Sequence, residues 1–238
     1  MFRRHVLSLA LRIILLAAAV YFFFSDNEKQ GFDALLRRGY YGVFLYIVWA
    51  VLVAGMLLRL IPNKRVAVGA RKHYKRTQKT GTAAPNEQIS TIIKRNRLHK
   101  GAIASALAWV VLNSVVLTAL SLCNLMTPAA AVVLTLLYSV CDEVCILFFC
   151  PFQVFFLRNR CCTQCRIHNW DYLMMCTPMI LFTSAYSMSL LLLSAAVVIR
   201  WEAALRKNPQ LFMAETNENL RCDRCDDRLC LVNKPLER

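Results

Sequence analysis

Apolar runs of about twenty residues recur along this chain, long enough to cross a hydrocarbon core of about 30 Å as a helix. They cover residues 6–24, 40–60, 102–123, 129–150 and, at greater length, 172–199. Composition agrees: 58% of residues are hydrophobic, mean hydropathy is +0.44, and the 18% charged fraction falls below the usual ~25%. The fold class expected is all-α: a polytopic α-helical membrane protein with four clear transmembrane helices and a fifth long apolar element.

The first run starts basic and apolar, like a secretory signal, but continues through Tyr21, Phe22, Phe23 and Phe24 with no small-x-small cleavage site after it. An uncleaved first span is therefore expected. Arg12 lies in its first half and has a stem long enough to snorkel to the inner surface.

Charge sets the orientation. Residues 62–100 hold eleven Lys and Arg residues against one acid, Glu87, out of a net charge of +15. So basic a loop between spans is expected in the cytoplasm. The N-terminus, two crossings earlier, then lies there too, as Arg3 and Arg4 suggest, and the chain is expected to be a multi-pass cell-membrane protein. In a soluble chain this charge would point to nucleic acid. Here it sits in loops beside apolar spans, and no nucleic-acid role is expected. The expected partners are the bilayer and its anionic inner-leaflet lipids. Ile89, Ile92 and Ile93 share one helical face ahead of Lys94, Arg95, Arg97 and Lys100, which suits a short surface helix or a plain lead-in to the third span.

Four regions follow: a transmembrane helical hairpin at 1–61, the basic cytoplasmic loop at 62–100, a second transmembrane region at 101–200 containing a cysteine-bearing loop at 158–171, and a soluble tail at 201–238. The element at 172–199 would measure about 42 Å as one straight helix, more than a core requires. Pro178 and the cluster Thr183, Ser184, Tyr186 and Ser187 interrupt it. Either it crosses once, tilted, or it forms a hairpin turning near 183–187 that returns the tail to the cytoplasm. Arg200, Arg206 and Lys207 directly after it favour the hairpin.

Cysteine spacing is the sharpest chemical signal. The loop reads RNRCCTQCRIHNWD and the tail reads LRCDRCDDRLC. Cys162-x2-Cys165 and Cys222-x2-Cys225 are two knuckles of the kind that build a tetrahedral four-thiolate zinc site, with Cys161 and Cys230 as alternates and His168 as a weaker one. Neighbouring arginines lower thiol pKa and offset thiolate charge. Four thiolates would equally hold an iron–sulfur cluster, although the spacing is not a ferredoxin run. A site shared by both knuckles requires the hairpin.

A second candidate is Asp142–Glu143 inside the fourth run, with Cys141 and Cys145 on one helical face. Intramembrane acids are costly and face an interior or a water-filled cavity. They suit an ion or metal pathway, or a polar pair bonded to Asn113 or Tyr138, with Arg12 or Arg59 as counter-charge. The following Cys150-Pro151 is similar to the Cys-Pro elements of some metal transporters, a dipeptide of little specificity. Asn169 or Asp171 is a candidate N-cap for the next helix.

No hydrolase, nucleotide-binding or metalloprotease motif is present, so no catalytic residue is assigned. The expected role is an accessory or transport-related membrane component with a cysteine-ligated, structural zinc site. The alternatives are a thiol-redox or iron–sulfur electron-transfer protein, and an ion or metal transporter using Asp142 and Glu143.

Overall fold

The first apolar run becomes α1, Phe2–Ser25, which turns back through the short α2, Phe32–Leu36, into α3, Gly39–Leu60. Phe22 fixes the hairpin by packing its ring against Tyr41 and Phe44, at centroid distances of 5.0 and 5.2 Å. A computed structural model describes residues 2–25, 31–37, 39–60, 85–157 and 166–207. Among them every regular element is helical.

Helix α4 runs unbroken over Pro85–Leu122. The stretch read as a surface helix or a lead-in is thus helical and continuous with the third apolar run, while its isoleucine side chains lie outside the described residues. A turn at 123–127 leads to α5, Pro128–Leu147. Thr127 caps it, its hydroxyl accepting from the Ala130 N–H at 3.2 Å, and Pro128 takes the first turn, where a missing N–H costs nothing.

Helix α5 ends at Leu147, three residues short of the expected boundary. Pro151 lacks the N–H a helix would need, and the chain continues as a π-helical turn, Phe152–Leu157. Gly101 of α4 lets that turn approach closely: a Cβ there would lie 2.6 Å from the Phe156 carbonyl oxygen.

The long apolar element 172–199 is not one helix. It begins as α6, Asp171–Met175, tightens into a 3-10 turn, Thr177–Leu181, and breaks before α7, Ala185–Lys207. The polar cluster that interrupts the sequence is the start signal of α7. The Ser187 N–H donates to the Ser184 hydroxyl at 3.2 Å, and the Ser184 N–H donates to the Ser187 hydroxyl at 3.1 Å, a reciprocal cap.

The chain reverses at this break. At one end of the bundle Phe182 and Tyr186 pack on Phe32, and the Tyr186 hydroxyl donates to the Leu45 carbonyl at 3.2 Å. Moving along α3, the Trp49 indole donates to Ser189 at 2.8 Å. At the opposite end, here called the base, Arg59 of α3 meets Asp171, and Trp170 Nε1 donates to Glu202 Oε1 at 3.0 Å. Residues 170 and 202 therefore lie side by side at the base, and the segment between them goes up and comes back. Asn169 and Asp171 do not cap α6; Trp170 occupies that position, with no side-chain cap bond.

Five helices, at His5–Phe24, Gly39–Leu60, His99–Leu122, Pro128–Leu147 and Ala185–Lys207, are long and apolar enough to cross a membrane. Helix α5 is the most enclosed, while α1 and α4 leave broad apolar faces open, including Leu7, Ile14, Leu107, Val111 and Val115.

Candidate functional site

Charge gathers at the base, where the sequence is otherwise apolar. On α1, His5, Ser8 and Arg12 are spaced three and four apart, which stacks them on one face. On α5, Ser139, Asp142 and Glu143 share a face by the same rule. The two faces meet. Arg12 Nη2 lies 3.1 Å from Glu143 Oε1, and Arg12 Nη1 lies 3.3 Å from Asp142 Oδ2 and donates to the Ser139 carbonyl at 2.5 Å. Ser8 Oγ donates to Glu143 Oε1 at 2.7 Å, and His5 Nδ1 sits 3.1 Å from Glu143 Oε2.

A second pair lies alongside. Arg59 Nη1 donates to Asp171 Oδ1, and its guanidinium stacks 4.7 Å above the Tyr172 ring. Gly55 makes room for that ring: a Cβ there would fall 2.0 Å from the Tyr172 hydroxyl. The pairs sense each other, with Asp142 within electrostatic reach of Arg59 and Arg12 within reach of Asp171. Positive and negative side chains from α1, α3, α5 and α6 thus alternate through the base. Asp171 is buried, and its second oxygen, Oδ2, has no hydrogen-bond partner among the described residues.

Arg12 therefore does not snorkel. It turns inward as counter-charge to Asp142 and Glu143, because two carboxylates on the facing helix stabilise a guanidinium more than a distant surface does. The alternative partners of the acids separate: Asn113 is buried and donates to its own helix, at the Trp109 carbonyl, 3.1 Å away, and Tyr138 stacks edge-on against Trp109.

Beside the charges lies a cavity of about 110 Å³. Its lining includes Trp109, Tyr138, Ile146, Phe152 and Met174, with Cys141, Cys145, Cys150, Asp142 and Asp171. The side chains of Cys145 and Cys150 are in hydrogen-bond contact. The break after Leu147 makes this possible, since it folds Cys150 back towards the last turn of α5. The Cys145 thiol, together with the backbone N–H groups of Gln153 and Phe152, lowers the Cys150 pKa to about 7, against burial and Asp142. Cys176 is fully buried and lines no part of this cavity.

Of the residues singled out by sequence, the structure brings Cys141, Cys145, Asp142 and Glu143 to one end of α5. Cys161, Cys162, Cys165, Cys222, Cys225 and Cys230 lie outside the described residues, as does the His168 side chain. Among the described residues, no group of three or more His, Cys, Asp or Glu side chains is placed to hold a metal ion. Sequence reasoning passed over His5, Ser8 and the Arg59–Asp171 pair. The spacing of His5, Ser8 and Arg12 carried a signal for the first two, whereas nothing local links Arg59 to a residue 112 positions away.

No protein-family model, curated protein or solved structure matches this chain.

Proposed function

We propose that this chain is a multi-pass membrane protein in which a thiolate-held zinc ion ties the tail to the loop that follows α5. Its spans enclose the charged base, and its ligands are Cys162, Cys165, Cys222 and Cys225, with Cys161 and Cys230 as alternates. The open apolar faces of α1 and α4 support the membrane reading, since surfaces of that size in water drive association. The basic loop 62–100 orients the base to the cytoplasm and towards anionic lipid.

One observation carries the clamp. The Trp170–Glu202 hydrogen bond joins the end of the loop to the last turns of α7, so the described residues next to both cysteine-bearing segments lie at one end of the bundle, which supports a shared site. A chain crossing once over 172–199 would have held them a membrane apart. The metal is structural in this reading: four thiolates leave no open position for substrate. The protein is an accessory or scaffolding membrane component. Asp142 and Glu143 belong to the scaffold rather than to an ion pathway, because Arg12, Ser8 and His5 engage them.

Elemental analysis of the full chain in detergent tests this. The expected result is about one zinc per chain, lost when Cys162 and Cys165, or Cys222 and Cys225, are replaced by serine. Iron with sulfide in place of zinc would assign a cluster to the same ligands. Absence of metal, with all six thiols alkylated in the folded protein, would overturn the clamp. A reporter fused after Arg238 is expected to read out in the cytoplasm.

A further inference from the structure

We infer that Cys145 and Cys150 form a thiol–disulfide exchange centre, opening on the base cavity and acting on small uncharged disulfides. Three features on separate elements carry this. The two thiols touch, which a disulfide requires and which cysteines placed for packing alone do not need. Cys150 accepts hydrogen bonds from the backbone N–H groups of Phe152 and Gln153, which stabilise a thiolate at the start of the π-helical turn. The cavity gives a reactant access to the pair, and its lining is mainly apolar and aromatic, its two carboxylates, Asp142 and Asp171, being paired with Arg12 and Arg59. The centre is separate from the cysteines at 161–165 and 222–230, and it stands whether or not those bind metal.

The Cys150 thiolate attacks one sulfur of R–S–S–R, a Cys150–S–R bond forms, and the first thiolate RS⁻ leaves. Cys145 then releases its proton and attacks Cys150 Sγ. A Cys145–Cys150 disulfide forms, and the second sulfur departs as RSH with that proton. Two protein thiols are oxidised and one disulfide is reduced to two thiols. In a reducing compartment such a disulfide is transient, as catalytic and sensing pairs are. The aromatic and apolar walls of the lining admit an apolar reactant.

The test uses the full chain in detergent, reacted with bis(2-hydroxyethyl) disulfide, quenched by alkylation and mapped by mass spectrometry. The expected product in the unsubstituted protein is a peptide linked through Cys145 and Cys150. Cys145→Ser should trap a mixed disulfide on Cys150, whereas Cys150→Ser should abolish both trapping and linkage. Cys141→Ser should leave the linkage intact. Independent alkylation of Cys145 and Cys150 at every disulfide concentration would overturn the assignment, and this readout needs no variant. Equal trapping on Cys145 in Cys150→Ser would overturn Cys150 as the attacking thiol.

Discussion

The two ends of the bundle are held by different physics. At the end where α3 begins, Phe22, Phe32, Tyr41, Phe44, Phe182 and Tyr186 pack ring against ring, and the polar contacts are single bonds such as Tyr186 to Leu45. At the base, Arg12, Asp142, Glu143, Arg59 and Asp171 alternate in charge, drawn from four helices. Aromatic packing loses energy in proportion to what is removed. A buried charge network does not, since removing one member leaves the others desolvated and unpaired. The base is therefore the end where single substitutions should do most damage, and where the reactive thiols and the cavity also lie.

The largest effect expected is at Arg12. Arg12→Met removes the guanidinium shared by Asp142 and Glu143, and should destabilise the protein by about 3–5 kcal/mol in denaturant titrations in detergent. Adding Asp142→Asn and Glu143→Gln to Arg12→Met should recover much of that loss. If it does not, Arg12 acts by packing and the contrast between the ends fails.

Gly55→Val comes next. Its side chain would collide with the Tyr172 ring and push it off Arg59, at a cost of about 1–3 kcal/mol. Tyr172→Phe should relieve part of it, because the hydroxyl is the nearest atom. At the other end, Ser184→Ala removes one arm of the α7 cap and should cost about 1 kcal/mol. Tyr186→Phe, losing one buried bond to Leu45, should cost about 0.5–1.5 kcal/mol. Either of these matching Arg12→Met would break the contrast.

The smallest effect is kinetic. With a Cys150 pKa of about 7, its thiolate forms as pH rises through 7, so alkylation should accelerate from pH 5 to 7 and level off above. At pH 7 the rate should exceed that of an ordinary thiol, whose pKa is ≈ 8.5. The groups setting this are Cys145, Asp142 and the N–H groups of Phe152 and Gln153. Cys145→Ala should move the profile upward, because it removes the thiol donor, the largest influence lowering the pKa.

Much of the architecture was readable from hydropathy. The four clear runs were in the sequence, and the reversal near 183–187 was one of its two readings of 172–199, carried by a serine cluster that turned out to be a helix cap. Acids in an apolar run, and Arg12 and Arg59 as possible counter-charges, were visible as well. Which base met which acid was not: Arg12 and Glu143 lie 131 positions apart, and two arginines competed for the same role. The Cys145–Cys150 contact was hidden because it depends on the helix stopping at Leu147 rather than running on to Cys150, a boundary Pro151 only brackets.

By itself the sequence determined where the long apolar helices lie, because an apolar segment that long must bond its own backbone wherever water is excluded. It also determined which charges are costly. The tertiary structure alone decided what satisfies them. Partner choice depends on the rotation of each helix about its axis and on which helices are neighbours, and neither is a property of any one segment. It made Arg12 a counter-charge instead of a surface anchor, sent Arg59 to Asp171, and set two unremarkable cysteines against each other beside a cavity.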